Sequence, residues 1–400
     1  MTNRPTGARR SVTCALLFAL FAFSGAAAAD QIGSAPKTPP ALEQYRAGLA
    51  ALQKGDAATA ETDFHESLRL DPKQPAPRLA LAGIALHQGQ LQQAQRLLEQ
   101  ALAVAPGDAQ VQAAWGAYLF HAAKQYTRAA QAFATAANLD PRSVPYQVEL
   151  GDVYMKGLHQ PKLAIEHYQA AIHIDPQNPA AHFALANTLA AIGNLKGAEA
   201  EYGKASQLAP RSPIPHMALG DAYAVQGDHA GALKEYNAAL QLSPKLAAAY
   251  LKIGMIDELD QRANSAMRAY QTAVSLDPKM AVAYNNLAFL AIEQKVDADQ
   301  ALSWAQKAAQ LAPKSPQVLD TLGWVYHSRN ETSQALAALK QASALAPRDP
   351  QILYHLGVVY TSAQQPQQAA AAFNKALALK INFPEMGDAR SRLAALNPSR

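Results

Sequence analysis

Proline recurs along this chain with a period that no single globular core calls for. Pro72, Pro106, Pro141, Pro176, Pro210, Pro244, Pro278, Pro313 and Pro347 follow one another at intervals of 34 or 35 residues. Self-similarity at that period marks an array in which one supersecondary unit is copied and stacked. Half of the 400 residues are hydrophobic and 16% are charged, which excludes a disordered polyelectrolyte and leaves ample apolar surface to bury between copies. With 7% aromatic residues and abundant alanine, closely packed helices are favoured over sheet.

Two helices can be read in each copy. Twelve residues before each proline stands an alanine, as in Ala60, Ala94 and Ala129, and a tenth copy continues with Ala369 although Ile381 replaces its proline. Four residues later comes a large apolar side chain, as in Phe64, Leu98, Phe133, Tyr168, Tyr202, Tyr236, Tyr270, Leu339 and Phe373, with Ala305 the exception. A small residue follows at seven and an aliphatic one at ten, so the four offsets trace one face of a helix. Proline then ends that helix, because it lacks an N–H and biases the preceding residue away from helical angles.

An earlier helix is marked by a small residue in mid-segment: Gly48, Ala82, Gly116, Gly151, Ala186, Gly220, Gly254, Ala288, Gly323 and Gly357. Glycine there costs up to about 1 kcal/mol against alanine, so its recurrence implies a second helix crossing at that point. The distance to the next repeat alanine is 12 in seven copies and 13 in the three 35-residue ones. The extra residue is therefore expected in the turn between the two helices, where insertions are cheap.

With the small residue in the first helix, the Ala/large/small series in the second and the closing proline, the chain resembles the tetratricopeptide repeat over residues 41–383. The resemblance implies an all-α, right-handed α-solenoid or superhelix of about ten helix-turn-helix repeats. Their expected bounds are 41–74, 75–108, 109–143, 144–178, 179–212, 213–246, 247–280, 281–315, 316–349 and 350–383. Residues 384–400 are expected to hold a capping helix and tail, with Met386, Ala389, Leu393 and Leu396 on one face, since a solenoid must close its last apolar face.

In that family the first helices line a concave surface that binds a peptide or partner. The resemblance places groove residues three before, one after and four after each small residue. Partner-binding candidates are Phe183 and Asn187, then Met217 and Asp221, then Leu251 and Met255. Further along stand Asn285 and Phe289, then Asp320, Trp324 and His327, and finally Tyr354. The family's carboxylate clamp uses Lys, Arg and Asn in this groove. Here the stripe is acidic or apolar, so that chemistry is not carried over.

The first 29 residues read as a cleavable signal peptide. Arg4, Arg9 and Arg10 precede a short apolar run from Val12 to Phe23, and Ala27-x-Ala29 suits a cut between Ala29 and Asp30. A periplasmic or secreted location follows as an expectation, with residues 30–40 forming a flexible, proline-rich lead. Cys14, the one cysteine, lies in that leader, so stability without it must come from packing. Removing the three arginines takes Lys+Arg from 35 to 32 against 31 acidic residues, a balance that does not suit nucleic acid.

No phosphate-binding glycine loop, nucleophile elbow or His-Glu-x-x-His pair occurs, and the eleven histidines are scattered. Neither catalytic residues, nor a cofactor, nor a metal, nor a membrane span in the mature chain is expected. The expected function is an exported protein–protein interaction scaffold binding a protein or peptide along the groove. Alternatives are an envelope assembly factor for a polysaccharide-export or pilus system, and a glycan-binding module using the groove aromatics.

Overall fold

A computed structural model of the protein describes residues 39–396. The expected signal peptide with its cleavage point, all but the last two residues of the proline-rich lead, and residues 397–400 lie outside them. Among the described residues there are 21 helices and no strand, and the expected all-α solenoid class holds. The described residues divide into two compact units, one ending at Pro210 and the other beginning at Arg211. The sequence carries no sign of this division, because the 34-residue spacing from Pro176 to Pro210 to Pro244 continues across it.

In the first unit, helices α1 (Pro40–Gln53) and α2 (Ala57–Leu70) form one hairpin, α3 (Ala76–His87) and α4 (Leu91–Val104) the next. Then come α5 (Ala109–Ala117) with α6 (Tyr126–Leu139), α7 (Val144–Asp152) with α8 (Pro161–Ile174), and α9 (Pro179–Ala191) with α10 (Leu195–Leu208). The second unit holds α11 (Pro213–Val225) with α12 (His229–Leu242), α13 (Ala247–Leu259) with α14 (Ala263–Leu276), and α15 (Ala281–Glu293) with α16 (Ala298–Leu311). It closes with α17 (Pro316–Ser328) and α18 (Thr332–Leu345), α19 (Pro350–Ser362) and α20 (Pro366–Ala378), and a lone α21 (Met386–Leu396).

Seven hairpins are locked where the large residue of the second helix meets the glycine of the first. A methyl carbon built at Gly254 would lie 2.5 Å from Tyr270 Cε1, at Gly48 2.6 Å from Phe64 Cε1, and at Gly357 2.6 Å from Phe373 Cε1. Tyr270, Phe64 and Phe373 are wholly buried. The alanines at offset zero are likewise inaccessible, from Ala60 to Ala369. At offset ten the face is left at the rim instead: Leu70, Leu139, Leu242 and Leu345 remain exposed. In the hairpin where Ala288 faces Ala305, Trp304 packs against the same cluster from the adjacent position.

The repeat prolines act as their chemistry requires. The residue before each one, from Asp71 to Ala346, caps its helix with φ between −121° and −142° and ψ between 63° and 97°, the extended region that a following proline imposes. Side chains of Asp108, Asn178, Ser212, Ser315 and Asp349 then cap the next first helix by accepting from its free N–H groups. Where Ile381 stands in place of proline, α20 ends through Lys380 in the left-handed region at φ 54°.

The extra residue of the 35-residue copies needs a correction. Only near α15 does it lengthen the turn, which runs over Gln294–Asp297. After α5 and α7 it is taken up within the helix, as π-helical turns at Tyr118–Ala122 and Val153–Gly157. A π turn closes its hydrogen bond over five residues instead of four, so the second helix of the hairpin begins on time without a longer loop.

The last helix α21 covers the end of the array. Ala389 is fully buried, and Met386, Leu393 and Leu396 pack against the cluster of Leu353, Tyr354, Phe373 and Phe383.

Gly254→Ala sets two effects against each other: helix propensity favours alanine by about 1 kcal/mol, while the clash with a buried ring costs about 1–3 kcal/mol. We expect a net loss of stability in urea unfolding followed by far-ultraviolet dichroism. A gain would show that the ring is not seated on Gly254.

Candidate functional site

The first helices carry the candidate stripe, and what stands behind it is the second helix of the same hairpin. In the first unit, the Tyr168 hydroxyl donates to Asp152 Oδ1 at 2.6 Å, and the Tyr202 hydroxyl donates to Asn187 Oδ1 at 2.6 Å. In the second, the Tyr236 hydroxyl donates to Asp221 Oδ1 at 2.7 Å and the Tyr270 hydroxyl to Glu258 Oε2 at 2.6 Å. Asp152, Asn187 and Asp221 each directly follow the small residue of their helix, and Glu258 lies four after Gly254. Where the ring is phenylalanine, at Phe64, Phe133 and Phe373, the corresponding residues are Leu49, Ala117 and Val358. Directly after the small residue, a polar side chain thus accompanies Tyr168, Tyr202 and Tyr236 and an apolar one Phe64, Phe133 and Phe373, while Tyr270 passes over Met255 and reaches Glu258 instead.

Burial, and then the neighbouring carboxylate, push the phenols of Tyr168, Tyr236 and Tyr270 far above their ordinary range. They stay protonated and act as fixed donors. One oxygen of each acceptor is engaged, and its side chain is held in one orientation.

In the first unit Phe183 is half-buried with its ring 5.6 Å from that of Tyr202, and Asn187 is exposed. Next to Asp152 lies Glu149. Its Oε2 is shut off from solvent without a hydrogen-bond partner, 3.9 Å from His121 Nε2. Burial first, and Asp152 second, raise this carboxyl to about 7.

In the second unit Met217 packs beside Tyr236 and Ile256, and Asp221 also meets Lys252 Nζ at 2.9 Å. Leu251 packs against the cluster around Tyr270, while Met255 stays 41% exposed. Asn285, Phe289 and Asp320 come together with Glu258, Asn286 and Thr321 around one hollow of about 190 Å³. Asn285 Oδ1 is buried there without a hydrogen-bond partner.

Trp324 is half-buried and stacks on His355, with ring centroids 4.2 Å apart and an interplanar angle of 21°. His355 Nδ1 meets both oxygens of Asp320 at 2.9 Å, and His327 lies 5.0 Å from Trp324. Tyr354 departs from the expected stripe. It is 6% exposed, and its hydroxyl donates to Asp388 Oδ2 of α21 at 2.7 Å. Burial, then this bond, push its phenol up to about 12. The capping helix covers the residue that would otherwise end the stripe.

Asn286, Thr321 and His355 are absent from the expected stripe, although each stands two residues before the small residue of its first helix, 35 and 34 residues apart. Three of the tyrosines could have been paired with their acceptors, since Tyr168, Tyr202 and Tyr236 accompany a polar residue directly after the small one and Phe64, Phe133 and Phe373 an apolar one. Among the described residues no group of three His, Cys, Asp or Glu side chains is placed to hold a metal ion, and no helix is long and apolar enough to cross a membrane.

Comparisons with known proteins agree on the repeat. Family models described as tetratricopeptide repeat match residues 51–116, 157–222 and 350–380, and one described as TPR repeat matches 220–256 and 323–364. Among solved structures, a tetratricopeptide repeat protein from Parabacteroides merdae is 17% identical, covering 63% of this chain and 98% of that one at a TM-score of 0.49. The APC/C hetero-tetramer Cut9-Hcn1 is 14% identical, covering 89% and 96% at 0.49. Pseudomonas aeruginosa pilF is 21% identical, covering 51% and 92% at 0.46. No curated protein matches.

Because the folded state raises the Glu149 pKa from the ordinary 4.5 to about 7, it holds that proton more tightly than the unfolded chain does. The associated stability is present below the ordinary range and lost as pH rises through about 7. Glu149→Gln should match the parent in mild acid and exceed it by roughly 1–2 kcal/mol at pH of about 8. Parallel stability–pH curves for the two proteins would refute the burial of this carboxylate.

Proposed function

The chain belongs to the tetratricopeptide-repeat family, and on that premise we propose that it is an exported scaffold holding a protein or peptide segment on its first helices. The observation that carries this reading is the hollow of the second unit. There the Phe289 ring stands beside the acceptors of Glu258, Asn285 and Asp320, an apolar anchor ringed by polar groups of the kind that recognises a peptide.

A peptide suits the aromatic stripe better than a glycan. One face of Trp324 is already occupied by His355, and Tyr354 lies under α21. His327, 5.0 Å from Trp324, crowds that ring further, which leaves less open ring for a sugar to stack on. An envelope assembly role is a narrower form of the scaffold reading, and the leader with Arg4, Arg9, Arg10 and Ala27-x-Ala29 is what supports export.

Two measurements test this. A photo-reactive residue in place of Phe289 should crosslink a polypeptide in the native cells, whereas one in place of Lys307 on α16 should not. Equal labelling at both positions would sink the groove assignment. The protein recovered from those cells should begin at Asp30; an intact leader would remove cleavage and release from the reading.

A further inference from the structure

The hollow beside Phe289 is walled by three carboxylates and by no lysine or arginine. Glu258 comes from α13, Asp320 from α17, and Asp349 is the residue that caps α19. All three line the same space of about 190 Å³. Each is anchored by a neighbour that leaves it able to accept more. The Tyr270 hydroxyl donates to Glu258 Oε2 at 2.6 Å, and the backbone N–H groups of Gln351 and Ile352 donate to Asp349 Oδ1 at 3.0 and 3.2 Å. Glu258 Oε1 and Asp349 Oδ2 have no partner among the described residues. His355 meets Asp320, and no other ion pair reaches the three.

Charges of one sign on one concave wall repel each other, the more so as water between them is thinned. A cation entering the hollow removes that repulsion. Asn285 Oδ1 adds an observation that does not involve charge. It lies in the same wall, shut off from solvent and without a donor, and a buried acceptor left unpaired is costly.

The rest of the wall selects among cations. Phe289 offers an aromatic face, on which a guanidinium stacks while a more strongly hydrated ammonium gains less. Acceptors reach the hollow from α13, α15, α17 and the cap of α19, and a guanidinium carries N–H donors that diverge in one plane. Size agrees as well. A cavity of about 150 Å³ takes a benzene ring, so this one admits a guanidinium with part of its stem and not a stretch of main chain.

We propose that the hollow receives one arginine side chain of the partner polypeptide. Its guanidinium lies against Phe289 and is met by the unpaired acceptors of the wall, while the segment that carries it continues over the first helices. This rests on the scaffold reading and adds the residue by which the partner is anchored.

The test uses the protein without its leader and four nine-residue peptides of serine, glycine and leucine. They differ at one central residue: arginine, its uncharged isostere citrulline, lysine or glutamate. The arginine peptide should bind about tenfold more tightly than the citrulline one, and several-fold more tightly than the lysine one. Glu258→Gln/Asp349→Asn, whose amides still accept from Tyr270 and cap the helix, should cut the advantage over citrulline to about twofold or less. Glu99→Gln/Glu166→Gln, which removes the same charge from second helices of the first unit, should leave that advantage intact, and dichroism should show all three proteins folded. An equal fall in both double variants would overturn the site as an effect of net charge alone. Lysine binding as tightly as arginine would overturn the guanidinium, and citrulline or glutamate doing so would overturn the cation. If no peptide binds while the photo-reactive residue in place of Phe289 still captures a polypeptide, the arginine anchor falls and the scaffold stands. If neither is seen, both fall.

Discussion

Everything in this protein is arranged around a ring pressed against a bare backbone. Gly254 has no side chain because Tyr270 needs the space, and the same holds for Gly48 with Phe64 and Gly357 with Phe373. The contact does two things at once. It removes a large apolar surface from water, worth roughly 1.5–3 kcal/mol for a fully buried side chain, and it sets how closely the two helices of a hairpin approach. Closeness in turn lets a tyrosine hydroxyl emerge on the far side, so that a packing residue also orients a groove residue.

That coupling explains what could and could not be read in advance. Proline spacing, the small residue of the first helix and the Ala/large/small face were legible because each serves a local need that recurs every 34 or 35 residues. The apolar face of α21 was legible for the same reason: Met386, Ala389, Leu393 and Leu396 follow helical spacing. Tyr354 was misjudged because its fate depends on a helix that comes 34 positions later and supplies Asp388. Periodicity says which face a residue occupies, and not what else comes to lie upon that face. The leader lies outside the described residues, so export rests on Arg4, Arg9, Arg10 and the alanines alone.

The two units share a packing rule and differ in polar dress. In the first, Asp152 is answered by Lys156, while Glu149 has only the His121 ring within 4 Å, at 3.9 Å. In the second, Asp221 and Asp320 are answered by Lys252 and His355, while Glu258 is held by the Tyr270 hydroxyl and not by a cation. A net charge of only +4 over 400 residues therefore conceals a local imbalance, because a helix pair places charges by face and the composition averages over faces.

The π turns at Tyr118–Ala122 and Val153–Gly157 bear on how chains of this kind should be compared. An added residue is absorbed inside a helix, and the ring-to-glycine contact of that hairpin, as at Gly151 with Tyr168, is kept. An alignment that confines gaps to loops would put its gap some residues too late. Every position between the bulge and the gap would then be rotated by about 100° around the helix, and substitutions belonging to the core would be scored as belonging to the surface.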